Sequence, residues 1–292
     1  MNDAVTQSYA WCRRLTRRRA RNFYYSFWLL PPPQRDAVCA IYAFMRRCDD
    51  LTDEPARDAA SALEAWRRDL DRALDGQSPP GRLWPAFCDA VRRHGIPRRY
   101  FYEMLEGVAG DLEPRRIATF EELYRYCYQV ASVAGLSLVH VLGFQSPEAL
   151  KLAEKCGVAF QLTNILRDVR EDALRGRIYL PAEDMARCGA RDEDLLAGRR
   201  TPEVVAVLRR QAARAWTYYR EAEPLVALVG QEGRPALRAL IEIYRRLLGR
   251  IERSGFDVMR RRIRLPVWEK SWVVARAMWG REPRSRAVTA GE

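Results

Sequence analysis

Apolar and polar positions in this chain alternate at three- and four-residue spacing almost from end to end, the pattern of amphipathic helices. Segments 60–74 (ASALEAWRRDLDRAL), 202–229 and 234–252 carry it most clearly. Strand-like alternation is scarce, and no Asn-Gly or Asp-Gly hairpin signal lies between apolar runs. Breakers separate the helical stretches: prolines 31–33, the run GQSPPG at 76–81, Pro97, Pro114, Pro147, Pro181, Pro202 and the Gly233–Pro235 turn. The pattern predicts one all-α domain over residues 1–279. It also predicts a disordered tail over 280–292, where GREPRSRAVTAGE offers no apolar stripe.

Length and composition fit that picture. The chain has 292 residues, 48% hydrophobic and 30% charged, enough for a closed core near the upper size of a single domain. Its apolar runs, such as VCAIYAFM and VAGLSLVHVLGF, fall well short of the ~20 residues that span a bilayer. The N-terminus has no apolar signal core. Seven scattered cysteines without a Cys-x-x-Cys pair point to reduced thiols in a cytoplasm. With two histidines, a nitrogen- or sulfur-ligated zinc site is a poor fit, and any metal should be a hard ion held by carboxylates. The formal charge is +12, and all but three of the 50 basic residues are arginine. They are interleaved with acids along solvated faces and come with no nucleic-acid motif. Such a surface suits anionic diphosphates or lipid headgroups.

Two segments carry candidate chemistry. In RDAVCAIYAFMRRCDDLTDE, a turn of 100° per residue puts Tyr42, Arg46, Asp49 and Asp53 within an arc of roughly 60°. Beside that stripe runs an apolar band of Ala37, Ile41, Phe44, Met45 and Cys48. In CGVAFQLTNILRDVREDALRGRIYLP the same wheel aligns Gln161, Asn164, Asp168 and Asp172, next to Leu162, Ile165, Leu166 and Val169. Aspartates one turn apart lie about 6 Å apart along the axis and repel each other. Such a pair is common on solvated helices, but solvent gives no reason to align Tyr42 or Gln161 with it. Mg²⁺ takes a few carboxylates plus substrate phosphates. Two such stripes across a cavity could therefore hold several Mg²⁺ ions against a diphosphate and assist its departure.

At these residues the chain resembles the squalene/phytoene synthase family, the head-to-head branch of the isoprenoid synthases. The similarity runs from about residue 8 to 265. It includes RNFYYSFWLLPPPQRDAVCAIYAFMRRCDDLTDE, YCYQVASVAG and QLTNILRDVREDALRGRIYLP. The resemblance implies an all-α isoprenoid synthase bundle around a central cavity. It implies that Asp49, Asp53, Asn164, Asp168 and Asp172 serve Mg²⁺. Tyr42, Arg46, Gln161, Arg167 and Arg177 would contact diphosphates or the reacting region, and Tyr126 would assist proton removal. Tyr244 and Arg261 would be distal diphosphate contacts. Where many members have serines in the opening block, this chain has Ala20-Arg21-Asn22-Phe23, so Arg21, Asn22 and Phe23 form the expected site edge.

The implied reaction ionises one allylic diphosphate, joins it to the double bond of a second, closes a cyclopropane and rearranges to a linear hydrocarbon. The wording of the blocks favours two farnesyl diphosphates and a squalene-type product. Phytoene from geranylgeranyl diphosphate, and presqualene, hydroxysqualene or dehydrosqualene products, are the alternatives. A non-catalytic assembly protein of the same fold is the alternative outside catalysis. NADPH would have to bind without a Rossmann fingerprint, since no Gly-x-Gly-x-x-Gly follows a strand. A carbocation needs a dry cavity with aromatic faces. Of Phe23, Tyr24, Phe27, Phe44, Tyr126, Tyr128 and Phe160, fewer than half are expected to reach it. An oily product also suggests a cytoplasmic enzyme in peripheral contact with a membrane.

Overall fold

The computed structural model describes residues 3–20, 23–53 and 58–279, without the side chains of Thr52, Asp53 and Trp279. Arg21, Asn22, the Asp53 side chain and the 280–292 tail therefore lie outside the described residues. Among those described, no strand forms, and the regular secondary structure is helical. In order come α1 (Asp3–Arg19), α2 (Tyr24–Phe27), α3 (Pro32–Asp53), α4 (Ala59–Leu74), α5 (Trp84–Arg93), α6 (Arg99–Ala109) and α7 (Phe120–Cys127). A π-helical turn, Tyr128–Ser132, leads into α8 (Val133–Leu142) and α9 (Glu148–Leu174). After these come α10 (Ala182–Cys188), α11 (Asp192–Leu196), α12 (Pro202–Glu221), α13 (Leu225–Leu228), α14 (Arg234–Arg253) and α15 (Val267–Trp279).

Local signals account for several boundaries. Thr119 caps α7 by accepting from the Glu122 amide (3.2 Å), while Glu122 reaches back to the Ala118 amide (2.7 Å). Thr201 caps α12 in the same way, with proline at the first helical position. The periodic stretch 202–229 is two helices, because Pro224 has no amide hydrogen to continue α12.

The organising element is α9, 27 residues long and so about 40 Å from end to end. It packs on α7, α8, α12, α14 and the π turn, and α8 also packs on α3. The crossing of α9 over the π turn is extremely close: a Cβ on Gly157 would lie 2.4 Å from the Ser132 Cα. On the other side, a Cβ on Gly107 of α6 would come within 2.8 Å of Gln129 and Val130. The extra residue of the π turn is thus clamped between two glycines, and π turns of this kind often re-aim side chains at functional sites.

An aromatic cluster closes the α3–α4–α5–α6 side. Phe44 lies 4.7 Å from Phe87 and 5.2 Å from Phe101 (ring centroids), with Trp66 and Trp84 around it. All seven cysteines are unpaired. Burial pushes the Cys39 thiol up to about 11 and Cys156 to about 12. Among the described residues, no helix is long and apolar enough to cross a membrane.

Candidate active site

A cavity of about 920 Å³ runs between α3, α8, α9 and α14, with the π turn on its wall. Its two principal helices grade in the same sense. Along α3 the lining passes from Val38 and Ile41 to Tyr42, Met45, Arg46 and Asp49; along α9, from Ala153, Cys156, Gly157 and Phe160 to Gln161, Asn164, Arg167, Asp168 and Asp172. The early turns of both helices offer methyl groups and small residues. The later turns offer carboxylates, amides and guanidinium groups. One end suits an alkyl chain and the other an anionic head with its counter-ions.

The polar end is densely connected. Asp168 is held by Arg167 of its own helix (Nε to Oδ1, 2.8 Å) and by Arg262 from the segment after α14 (2.9 Å), whose Nη1 also meets Glu171 at 2.9 Å. Burial opposes the Arg167 charge, but the hydrogen bond and charge of Asp168 outweigh it and hold the guanidinium protonated. Asp172, one turn on, is buried beside Asp168. Burial first, and that neighbouring charge second, raise its carboxyl to about 8 in spite of Arg177 and Arg175. Asn164 Nδ2 donates to Gln161 Oε1 at 3.2 Å, while the buried Asn164 Oδ1 has no hydrogen-bond partner. On α3, Arg46 pairs with Asp50 (2.5 Å) on the next turn.

A second group surrounds Tyr126. Its ring stacks on Tyr179 with centroids 4.7 Å apart, and the Arg115 guanidinium lies 4.5 Å from its centroid. Asp111 accepts from the Tyr126 hydroxyl, and its backbone carbonyl accepts from Arg177 Nη2 at 2.7 Å. Burial, then Tyr179 and Asp111, push the Tyr126 hydroxyl well above its ordinary value, so it stays protonated. Tyr244 stacks on Phe160 (4.3 Å) and also meets Phe23 (5.4 Å); burial raises its hydroxyl to about 12.

Tyr42, Arg46, Asp49, Tyr126, Gln161, Asn164, Arg167, Asp168, Asp172, Arg177, Phe23 and Tyr244 all line this one cavity. Arg261 does not. It is exposed and pairs with Asp257 (3.5 Å), while its neighbour Arg262 turns inward. Gly255 and Phe256, both at positive φ, end α14 and reset the direction of the chain, so no helical register carries through to Arg261. The apolar band of α3 also divides, because Ile41 and Met45 face the cavity while Phe44 and Cys48 are core. Of the seven aromatics considered for the lining, Phe23, Phe27, Tyr126 and Phe160 reach it, which is more than half. Phe44 belongs to the core cluster, Tyr24 packs on Trp28, and Tyr128 donates to Glu103. Asp111, Tyr179 and Arg262 are additions no periodicity reveals, since each lies in non-helical chain and is delivered by tertiary packing.

A helical cavity of this kind defines an all-α enzyme class that handles long apolar substrates with anionic heads. The sequence matches the squalene/phytoene synthase family over residues 16–269, and the chain belongs to that family, whose members join prenyl units head to head. Among curated relatives, it is 37% identical to the 15-cis-phytoene synthase of Synechococcus elongatus, with 91% of each chain covered. It is 38% identical to phytoene synthase 3 of Zea mays, covering 91% of this chain and 64% of the relative. Among solved structures, a dehydrosqualene synthase complex superposes with a TM-score of 0.86 at 31% identity, covering 94% of this chain and 96% of the other. The squalene synthase HpnC of Alicyclobacillus acidocaldarius gives 0.81 at 28%, covering 88% and 97%.

Proposed function

We propose that this protein condenses two molecules of geranylgeranyl diphosphate, through a cyclopropyl diphosphate, to phytoene, with Mg²⁺ at the polar end of the cavity. The observation that carries the reading is the shared gradient of α3 and α9 from apolar lining to Asp49 and to Asn164, Asp168 and Asp172. The names of the relatives at 37% and 38% identity favour the C20 substrate over the farnesyl diphosphate that the sequence blocks suggested. The C15 reading, giving squalene or dehydrosqualene, draws support from the solved structures at 31% and 28% identity.

The residues at the polar end fit a hard cation. Asn164 Oδ1 is a buried oxygen without a partner, and Asp172 is a carboxylate that its surroundings keep from ionising. A nearby cation would relieve both. Among the described residues no three acidic, histidine or cysteine side chains form a cluster able to hold a metal by themselves. Substrate phosphate oxygens and water would have to complete the shell, as is usual for Mg²⁺. When bound, Mg²⁺ neutralises charge on the departing diphosphate.

The chain's own groups do the rest. Arg46, Arg167 and Arg177 offer fixed positive charge to the diphosphates. Phe23, Phe160 and Tyr244 present aromatic faces to a developing cation and exclude water from it. Tyr126, kept protonated with its hydroxyl directed at Asp111, is the group we assign to assist removal of the proton from the cation. Extraction and mass spectrometry of lipids made from each diphosphate with Mg²⁺, with and without NADPH, test the proposal. A C40 hydrocarbon from geranylgeranyl diphosphate without NADPH is expected. A C30 product from farnesyl diphosphate alone would overturn the chain length, and a need for NADPH would mark a reductive quench. No product from either would favour a non-catalytic assembly role.

A further inference from the structure

The last helix is apolar on the wrong side as well as the right one. The inner face of α15 buries Val273 and Ala277, as a surface helix should. Its outer face carries Val267, Trp268, Trp272 and Met278, all exposed, with Trp268 70% open to solvent. At 100° per residue these four cover an arc of about 140°. α15 packs on α2, and just past α2 stands Trp28, also 59% exposed. Isolated exposed apolar residues are ordinary, but a helix face carrying two exposed tryptophans, with a third at the end of the helix packed beside it, marks a binding surface.

Charge selects the occupant. The one acid of α15, Glu269, turns inward and is held by Arg250 (3.1 Å) and Arg246 (3.5 Å). Basic groups frame the tryptophans instead: Arg276 lies 5.4 Å from the Trp272 ring and Arg35 5.8 Å from Trp28. Arg264, exposed just before the helix, completes the frame. A second apolar protein surface would gain nothing from this basic frame. An anionic membrane surface would use both parts, since tryptophan favours the headgroup level and arginine the negative potential there. Position adds a further reason. Arg264, Leu265 and Val267, at the root of α15, also line the cavity, so the patch borders the cavity rim.

We propose that α15 and Trp28 dock this protein onto an anionic lipid bilayer, lying in the interface with the cavity rim beside the membrane. The proposal does not depend on which diphosphate the cavity takes. The test is cosedimentation of the full chain with phosphatidylglycerol–phosphatidylcholine vesicles at low and high salt, with bromine-labelled acyl chains to quench tryptophan emission. Binding should need phosphatidylglycerol, weaken in salt and quench tryptophan. W268S/W272S should bind about tenfold more weakly, with the melting temperature unchanged and turnover in detergent retained. Retained turnover with lost vesicle binding keeps the docking surface separate from the catalytic reading. Failure of the native chain to bind, or equal binding by the variant, would overturn the proposal. So would a dimer in sedimentation that the variant dissolves, which would make a second copy the occupant. Vesicle binding that appears only after truncation at Trp279 would instead assign the face to residues 280–292.

Discussion

The hydroxyl of Tyr126 donates to Asp111 Oδ2 across 3.0 Å, and both residues stand on the cavity wall. The pair joins α7 to the turn after α6 and so sets the direction of the one tyrosine hydroxyl that the proposed reaction needs. Arg115 Nη1 reaches the other oxygen of Asp111 at 3.3 Å and also covers the Tyr126 ring, so the carboxylate is itself held in place. Asp111 is in this sense a positioning residue. Asp111→Asn should lower kcat by roughly tenfold to a hundredfold with KM little changed, and Tyr126→Phe should cost at least as much. Because the two act as a unit, the double variant should be no worse than Tyr126→Phe alone. Fully additive losses would separate them.

Asp49→Asn and Asp168→Asn each remove an oxygen charge from the polar end. Diphosphate release should fall by two orders of magnitude or more in either, by the scale of electrostatic stabilisation at a leaving group. Near-normal release would sink the proposed metal role of the stripes.

Asp172 predicts a pH dependence with a definite sign. Its folded value, about 8, lies above the usual carboxylate value of 3.8. The metal-free fold therefore keeps a proton that the unfolded chain releases. This group's contribution is most favourable below about pH 4 and turns increasingly unfavourable as pH rises to about 8. Thermal melts of the metal-free protein should show Asp172→Asn gaining stability over the native chain from pH 5 to 8. Mg²⁺ must displace that proton, so its apparent affinity should rise with pH up to about 8. Calorimetry in buffers of different ionisation enthalpy should register the release, and a pH-independent affinity would argue against Asp172 as a ligand.

Gly157 marks a backbone crossing with no room for a side chain. In Gly157→Ala the new methyl would meet the Ser132 backbone at 2.4 Å, which no side-chain rotation relieves. Overpacking of this kind costs about 1–3 kcal/mol, and here it falls on the π turn that carries Val130 and Ala131 to the cavity. A lowered melting temperature together with reduced turnover is expected; an unchanged melt would show that the crossing can relax.

Ala134 lies on the cavity wall among small residues. A phenylalanine there should shorten the alkyl space, so Ala134→Phe should lose turnover of the C20 diphosphate about tenfold more than of the C15 one. Equal losses would place the chain-length limit elsewhere.

Helical periodicity and the aspartate spacing belong to local geometry, which is why they could be read from the chain directly. Steps of three and four residues on a helix put Tyr42, Arg46 and Asp49 on one face whatever surrounds it, and Gln161, Asn164, Asp168 and Asp172 on another. The breakers at Pro202 and Pro235 act through their own missing amide hydrogens. Membership in the family was likewise legible, because its blocks are contiguous in the chain.

Tertiary packing settled the rest, since it depends on which distant faces meet. Phe44 and Met45 are neighbours on one apolar band, yet one joins the aromatic core and the other the cavity, because α5 and α6 cover only part of α3. Arg261 and Arg262 differ by a single peptide; the left-handed turn at Gly255–Phe256 sends the second to Asp168 and leaves the first in solvent. Asp111 bears on Tyr126 only because α6 and the π turn pack closely enough to require Gly107. Local rules can place a side chain on a face of its own helix. They cannot say what lies opposite that face, because burial and electrostatic environment are set by the whole fold.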